Sequence, residues 1–292
     1  MTLLSEFSEK MAKWTACRGA ASYYRKNDVW PNFIEPTSFG AMNILHSVTM
    51  AMPRVNPADK LLVGECIPSD LEDTVSTATV AGAWSNADDM DFRDIKPGTY
   101  YLKANHGSAM NVKVELPCSD IQMKELRKIA DEWLHTAYGK SSSQWWYFKI
   151  DRKVFLEQDL LDGNGDGSLT DFRFHVINGA PVLLQMDVGL HSEDRHNPVY
   201  DENLNYLPHD FLRVNKHEEP LPENADKAQQ VAVRLAKGFQ YCRVDLYLRG
   251  KDLFLGEMTF LPNAGRRHVR SAELDEMLCA AWDPMPRFHR VT

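Results

Sequence analysis

Two β-rich segments near the end of the 292-residue chain constrain its fold most strongly. Residues 241–260 read YCRVDLYLRGKDLFLGEMTF, with a polar turn at Arg249 to Asp252. Apolar and β-branched runs on both sides of such a turn predict a β-hairpin. Folding about Gly250 and Lys251 brings Asp245 and Glu257 nearly opposite each other on adjacent strands. The segment therefore predicts a sheet on which two carboxylates converge.

Opposed carboxylates on neighbouring strands need compensation, because like charges facing each other destabilise a sheet. A hard divalent cation with oxygen ligands is one compensator, and Mg²⁺ held by one or two carboxylates together with substrate phosphates fits this pair. The alternative is that Arg243 and Lys251 neutralise the pair at an exposed sheet edge. The hairpin alone leaves both interpretations open.

A second predicted hairpin carries groups suited to phosphate. After the turn KPG, the run TYYLKA precedes the loop NHGSAMN and the strand VKVEL. Lys103, the Gly107–Ser108 loop and Lys113 place ammonium groups and backbone N–H donors where they can surround phosphates. Farther on, the strand VFLEQDL offers Glu157 and backbone amides to an adenine edge.

Other patterns fill in a mixed α and β chain. Helical spacing is visible around residues 38–51 and 57–65, and in a helix that begins at Ser119 or Asp120 and ends near Gly139. DFRFHVI and VLLQMDV predict a hairpin around Asn178 and Gly179. ADKAQQVAVRLAKGF is amphipathic, and a last helix is predicted near residues 271–282.

Composition excludes several classes of protein. The net charge of −8 disfavours a general nucleic-acid binder, and 43% apolar residues are enough for an ordinary globular core. No stretch approaches the length of a membrane-spanning helix. Five single cysteines without a C-x-x-C pair fit a reducing compartment, so we expect a cytoplasmic protein.

Six segments in chain order carry a resemblance to a known family. They are PTSFGAMN, PADKLLV, YYLKANHGSAMNVKV, VFLEQDLL, DFRFHVINGAPVLLQMD and FQYCRVDLYLRGKDLFLGEMTFLPNAG. Together they resemble the ATP-grasp superfamily, most closely its TupA-like branch, named for a protein of teichuronopeptide synthesis. The resemblance implies an α+β fold in which two α+β subdomains grip ATP, plus an N-terminal α/β region. The implied borders are 1–96, 97–156 and 157–292.

The resemblance also implies roles for individual residues. The segment HGSAM looks like the mobile loop that covers the phosphates, and residues 157–160 look like the adenine-binding linker. Asp245 and Glu257 look like magnesium ligands. ATP-grasp enzymes commonly carry Asn two residues after the second acidic ligand, where this chain has Thr259 and, a little farther on, Asn263. The implied nucleotide contacts are Lys103, His106, Gly107, Ser108, Lys113, Glu157, Gln158, Leu160 and Arg173.

The implied activity is an ADP-forming carboxylate–amine ligation. ATP would phosphorylate the carboxylate, and the amine would then displace phosphate, with Mg²⁺ as cofactor and Lys103, Arg173 and Arg266 as catalytic residues. The segment GRRHVR, with Arg266, Arg267 and His268, would hold the carboxylate unless it is a solvated surface patch. The substrates implied are an amino acid, a peptide or a uronic-acid glycan, and an oligomer is compatible with these features.

Competing functions rest on weaker signals. The same nucleotide site would serve an ATP-dependent phosphotransferase, and a non-catalytic nucleotide-binding module would need it too. A polysaccharide-related glycosyltransferase would use a short D-x-D segment, which DMD at residues 89–91 matches. DGNGDG at residues 162–167 imitates the start of a calcium loop, but its twelfth position is Arg173 instead of glutamate.

Overall fold

Two β-sheets organise the described part of the chain. The computed structural model describes residue 14 and residues 17–139, 143–161, 170–189 and 193–282. Residues 17–27 are helical. The strands are β1 (Val75–Ser76), β2 (Val80–Trp84), β3 (Gly98–Ala104), β4 (Asn111–Leu116), β5 (Val154–Gln158), β6 (Asp171–Ile177), β7 (Ala180–Asp187), β8 (Val199–Tyr200), β9 (Tyr206–Leu207), β10 (Tyr241–Arg249) and β11 (Asp252–Thr259). Beyond residues 17–27, the α-helices of the described residues are α1 (Phe39–Thr49), α2 (Asp120–His135), α3 (Ala225–Leu235) and α4 (Ala272–Ala280).

The seven-stranded sheet, here the large sheet, contains both C-terminal hairpins. Its order is β1-β11-β10-β6-β7-β8-β9, and its pairs are antiparallel except for the parallel pair β1–β11. The turn between β6 and β7 lies at Asn178 and Gly179, as predicted. One face of this sheet packs into the main hydrophobic core, to which Phe174, Val244 and Leu255 belong.

A bulge in the last hairpin aligns the two carboxylates. Arg249 pairs with Asp252 and Leu246 with Leu255, so an unbroken ladder would place Gly256 opposite Asp245. The register shifts at this point, and Asp245 instead pairs with Glu257. Gly256 is therefore the extra residue of the bulge, which confirms the predicted juxtaposition and explains how it arises.

The four-stranded sheet, here the small sheet, has the order β2-β5-β3-β4. Alternate residues of β3, including Tyr100 and Leu102, pack with Leu126 and Ala130 of α2 in a separate core. The intervening residues of β3, such as Lys103, lie on the opposite face. β2 belongs to this sheet although it precedes the predicted border at residue 97, and β5 runs two residues beyond the predicted border at 156.

The helices follow their sequence signals closely at their N-terminal ends. The Ser38 side chain caps α1 by accepting from the Ala41 N–H, and Ser119 and Gln122 form a capping box at α2. α2 ends at His135, short of the predicted Gly139. The predicted helix at 57–65 is largely turn, with one 3₁₀ segment at Val63–Cys66. The fold is thus α+β, as predicted, and no helix in the described ranges is long and apolar enough to cross a membrane.

Candidate active site

A cleft lies between the two sheets and receives side chains from both. Its lining comes from β3, β5 and the β3–β4 loop on one side and from β6, β10 and β11 on the other. The lining residues are Lys60, Ala78, Lys103, Gly107, Ser108, Ala109, Met110, Asn111, Glu157, Leu160, Asp171, Arg173, Arg243, Asp245, Tyr247, Phe254, Leu255, Gly256 and Glu257. Eight of the residues assigned to the site from the sequence are among them.

The predicted carboxylate pair stands on the large sheet with cations against both members. Arg243 Nε and Nη2 donate to Asp245 Oδ1 and Oδ2 at 2.6 and 2.5 Å. Thr259 Oγ1 donates to Glu257 Oε1 at 2.5 Å, and Arg243 Nη2 donates to Thr259 Oγ1 at 3.1 Å. The neutralising arginine therefore lies within the cleft. Lys251, by contrast, is exposed in the hairpin turn.

Burial and the neighbouring cations shift the two carboxyl groups in opposite directions. Desolvation raises the pKa of Asp245 to about 6, although Arg243 and Arg173 oppose the shift. Desolvation would also raise the pKa of Glu257, but Lys60 and Arg243 outweigh it and lower that pKa to about 2. Glu257 is therefore held as a carboxylate, whereas Asp245 takes up a proton more readily than a free aspartate, and both side chains offer oxygen donors to the cleft.

Lys60 connects the carboxylate pair to the β3–β4 loop, and sequence reasoning gave it no role. Its Nζ lies 3.3 Å from Glu257 Oε2 and donates to the Gly107 carbonyl at 2.6 Å. Its backbone N–H donates to the Asn105 carbonyl at 3.2 Å. The motif PADKLLV, which contributed to the family resemblance, contains this lysine and was the available signal.

Arg173 lies at the centre of a second charged group on the large sheet. It contacts Asp171 at 2.6 Å, Asp187 at 2.9 Å and Asp245 at 3.8 Å. Arg195 donates to both oxygens of Asp187, at 2.8 and 2.6 Å. The site therefore holds more acidic groups than the predicted pair, and the sequence analysis singled out neither Asp171 nor Asp187.

The small sheet contributes the opposite wall of the cleft. Lys103 Nζ donates to Glu157 Oε1 across the β3–β5 pair. Gly107 lies in the loop after β3, where an added Cβ would sit 2.7 Å from Met110 Sδ. Ser108 also lines the cleft in this loop, and Leu160 lines it beyond the end of β5. This side thus offers one paired lysine and a loop in which any larger residue at Gly107 would require the Met110 side chain to move.

Five of the predicted site residues do not line the cleft. His106 is buried, with Nδ1 3.2 Å from Asn105 Oδ1 and Nε2 3.0 Å from the Trp133 carbonyl. Lys113 is exposed, 3.4 Å from Glu115. The Gln158 N–H donates to the Thr79 carbonyl. Thr259 adjoins the lining only through Glu257 and Arg243.

Arg266 is the fifth of these residues and lies beyond the end of β11. Its N–H donates to the Asn263 carbonyl at 3.1 Å, and its carbonyl accepts from Asn27 Nδ2 at 3.0 Å. Its buried Nε has no hydrogen-bond partner among the described residues. Asn263, the alternative to Thr259, is exposed with left-handed φ, whereas Thr259 bonds directly to Glu257.

The cleft suits a magnesium–polyphosphate group in charge and in donor type. Asp245 and Glu257 offer the oxygen ligands that Mg²⁺ prefers. Lys60, Lys103, Arg173 and Arg243 supply positive charge around them, from segments on both sides of the cleft. The cations now bonded to the carboxylates would have phosphate oxygens as alternative partners.

A family comparison agrees with this geometry. The model of the TupA-like ATP-grasp family matches residues 41–282. The chain belongs to that family. The match confirms the resemblance drawn from the six sequence segments and covers every predicted site residue. No match was found among curated protein sequences.

Solved structures similar to this TupA-like ATP-grasp chain are distant in sequence. D-alanine–D-alanine ligase from Bacillus anthracis, complexed with ATP, is 13% identical with a TM-score of 0.49, over 83% of this chain and 68% of that one. The ATP-grasp ligase PsnB, complexed with a minimal precursor, is 13% identical with a TM-score of 0.43, over 78% and 59%. D-alanine–D-alanine ligase from Helicobacter pylori is 13% identical with a TM-score of 0.43, over 79% and 61%. The chain thus spans only 59–68% of the length of these proteins.

Proposed function

We propose that this protein is an ATP-dependent ligase that joins a carboxylate to an amine through an acyl phosphate. The observation that carries the proposal is the facing pair Asp245 and Glu257, opposed across the cleft by Lys103 and the Gly107 loop. Membership of the TupA-like ATP-grasp family supports it. The similar ligases from Bacillus anthracis and Helicobacter pylori, whose reaction joins two amino acids, suggest an amino acid or peptide as one substrate class.

The chain's own groups would act by positioning and neutralising charge. Lys60, Lys103 and Arg173 would bind phosphate oxygens and offset the charge on the transferring group. Arg243 and Thr259 would hold Asp245 and Glu257 in the orientation that receives Mg²⁺. When bound, Mg²⁺ would be held by these carboxylates and would supply Lewis-acid stabilisation of the phosphate charge. A covalent protein intermediate is not required.

The carboxylate substrate would be held near Arg266. The unpartnered Nε of this arginine is buried, so its guanidinium retains hydrogen-bonding capacity next to the cleft-forming hairpin. Arg267 and His268 follow, and both are exposed. Guanidinium groups bind carboxylates in a bidentate manner, which suits this segment to a carboxylate of an amino acid, peptide or uronic-acid glycan.

The phosphotransferase is the second candidate, because the same phosphate-binding groups serve either reaction. The D-x-D segment gives the glycosyltransferase alternative little support. Asp89 and Asp91 are both exposed, neither lines the cleft, and Asp91 is bonded to Arg93. The calcium-like segment at residues 162–167 lies outside the described residues.

Phosphate release from Mg-ATP over a panel of carboxylates and amines tests the proposal. We expect ADP and phosphate only when both partners are present, and a hydroxamate when hydroxylamine replaces the amine. ADP with a stable phosphorylated hydroxyl would identify a kinase, and AMP would contradict an acyl phosphate.

Glu257→Gln should lower turnover by about 100-fold or more, since it removes a charged metal ligand. The exposed-site control Glu223→Gln should leave turnover unchanged.

A further inference from the structure

Two histidines and a glutamate converge beyond β7, outside the residues that line the cleft. His196 Nε2 lies 3.1 Å and His217 Nε2 lies 3.0 Å from the same atom, Glu219 Oε1. The two imidazole rings are 4.3 Å apart between centroids. One ligand atom from each of the three residues falls within 4.8 Å of the others. The three side chains thus already surround one point.

The backbone holds two of these residues in place. His196 forms a two-way β-bridge with Val188, with N···O distances of 3.1 and 3.2 Å. Glu219 is fixed by the buried Tyr200 hydroxyl, which donates to its carbonyl and accepts from its N–H at 3.0 Å. His217, in contrast, is exposed, with 61% of its side chain accessible. The site therefore has two fixed donors and one on the solvent side, where an ion can enter.

One buried ring nitrogen among these three side chains has no hydrogen-bond partner among the described residues. His196 is only 2% exposed, and its Nδ1 has no hydrogen-bond partner among the described residues. Its Nε2 and that of His217 both lie within hydrogen-bond distance of the same oxygen, Glu219 Oε1. A cation placed between them would accept lone pairs from both imidazoles and from the carboxylate at once.

We propose that His196, His217 and Glu219 form a binding site for Zn²⁺. Two imidazole nitrogens and one carboxylate are a donor set that favours zinc and related transition ions over Mg²⁺, which prefers oxygen ligands alone. With three protein ligands, the fourth position of a tetrahedral ion is left to water. This site is distinct from the Asp245–Glu257 pair in both donors and position.

The ion would fasten one segment of the chain to the large sheet. It joins the residue after Arg195 to the loop at 217–219, where Lys216 and Asp194 already make a contact at 3.5 Å. Arg195 holds Asp187, which in turn contacts Arg173 in the cleft. Zinc bound here therefore stabilises the segment that contains Arg195, the residue that holds Asp187 against Arg173.

Zinc affinity of the untagged full chain tests this assignment. Zn²⁺ is titrated in competition with a chromophoric chelator, with millimolar Mg²⁺ present to occupy oxygen-only sites. We expect one equivalent bound, and a loss of affinity of more than about tenfold in His217→Ala and Glu219→Gln, as removal of a ligand requires. Co²⁺ in place of zinc should give the intense visible bands of a four-coordinate site, and these should disappear in His217→Ala.

Two control variants separate this site from others. His135→Ala removes an exposed histidine whose Nδ1 lies 3.3 Å from Asp131, and it should leave zinc affinity unchanged. Glu257→Gln should also leave it unchanged, while lowering the proposed turnover by about 100-fold or more. Equal affinity in wild-type protein and His217→Ala, or loss of binding in Glu257→Gln, would overturn the assignment. Circular dichroism of His217→Ala, an exposed position, verifies that the fold is retained.

Discussion

Among the described residues, Lys60 joins Glu257 on the large sheet to the loop between β3 and β4. Its ammonium contacts Glu257 and the Gly107 carbonyl at the same time. An ammonium with donors to spare is suited to a third partner, such as a phosphate oxygen, in the same place. Lys113 lies on the cleft face of its strand but is exposed and adjacent to Glu115. Lys60 thus contacts an acidic residue that lines the cleft, whereas Lys113 contacts one that does not.

Replacing each lysine by methionine distinguishes their roles. We expect Lys60→Met to lower kcat by about 100-fold, the loss typical of one group that stabilises developing charge. Lys113→Met should reduce kcat less than about threefold, because its ammonium lies outside the cleft lining. Steady-state ADP formation measures both. The reverse order would assign the phosphate contact to Lys113 and give Lys60 a purely structural role.

Residue spacing predicted the carboxylates and offered Arg243 as a partner, but it did not identify Lys60. Asp245 and Glu257 are close in sequence, so a hairpin argument brings them together. Lys60 reaches the same cleft from a distant part of the chain, through tertiary contacts that no local pattern encodes. Asp187 contacts Arg173 across the predicted β6–β7 hairpin, but the hairpin pattern alone assigned it no role. His106 was assigned with its loop, yet its ring turns inward to the Trp133 carbonyl. Neighbouring loop residues can face opposite ways, and the sequence does not show which of them faces the cleft.

At the scale of elements, the bulge in the β10–β11 hairpin depends on Gly256. An added Cβ there would lie 2.6 Å from Tyr247 Cε2, inside contact distance. We expect Gly256→Ala to lower the free energy of unfolding by about 1–3 kcal/mol, as overpacking does. Urea denaturation measures it. In a Tyr247→Ala background the same change should cost little, and an equal cost in both backgrounds would exclude the ring contact as the cause.

Elements with strong periodicity were predicted well, and the misses have local causes. The hairpins at β6–β7 and β10–β11 have turns whose residues tolerate left-handed φ, namely Asn178, Gly179 and Gly250. Residues 57–65 do not form the predicted helix because the side chains of Asn56 and Asp59 accept backbone N–H groups and close turns instead. The spacing of hydrophobic residues does not predict these competing hydrogen bonds.

At the scale of the whole molecule, buried histidines tie stability to pH. His46 of α1 packs against Tyr241 and Trp282. Burial lowers the pKa of His46 to about 4 and places that of His175 well below its usual value. The unfolded chain takes up protons as pH falls through about 6.5, whereas the folded chain does not. The stabilisation is therefore present above about pH 6.5 and is lost as pH falls towards 4.

Denaturation at several pH values checks this dependence. Between pH 6.5 and 4 we expect His46 to account for a loss of up to about 3 kcal/mol in the free energy of unfolding. His46→Leu should flatten that slope, leaving the part due to His175. His135→Gln, a change at an exposed histidine, should retain the full slope. A His46→Leu slope equal to that of the wild type would contradict the assignment.

The parallel pair of β1 and β11 has a consequence for how the protein is made. The small sheet uses strands that lie between residues 80 and 158, so a growing chain can complete it early. Val75, however, pairs with Leu253, near the far end of the chain. During translation β1 must wait, unpaired, until β11 has left the ribosome. The strands that carry Asp245 and Glu257 follow all the other described strands in the chain, so a nascent chain has one wall of the cleft long before the other. A chain terminated before β10 would keep the Gly107 loop and lose both Asp245 and Glu257.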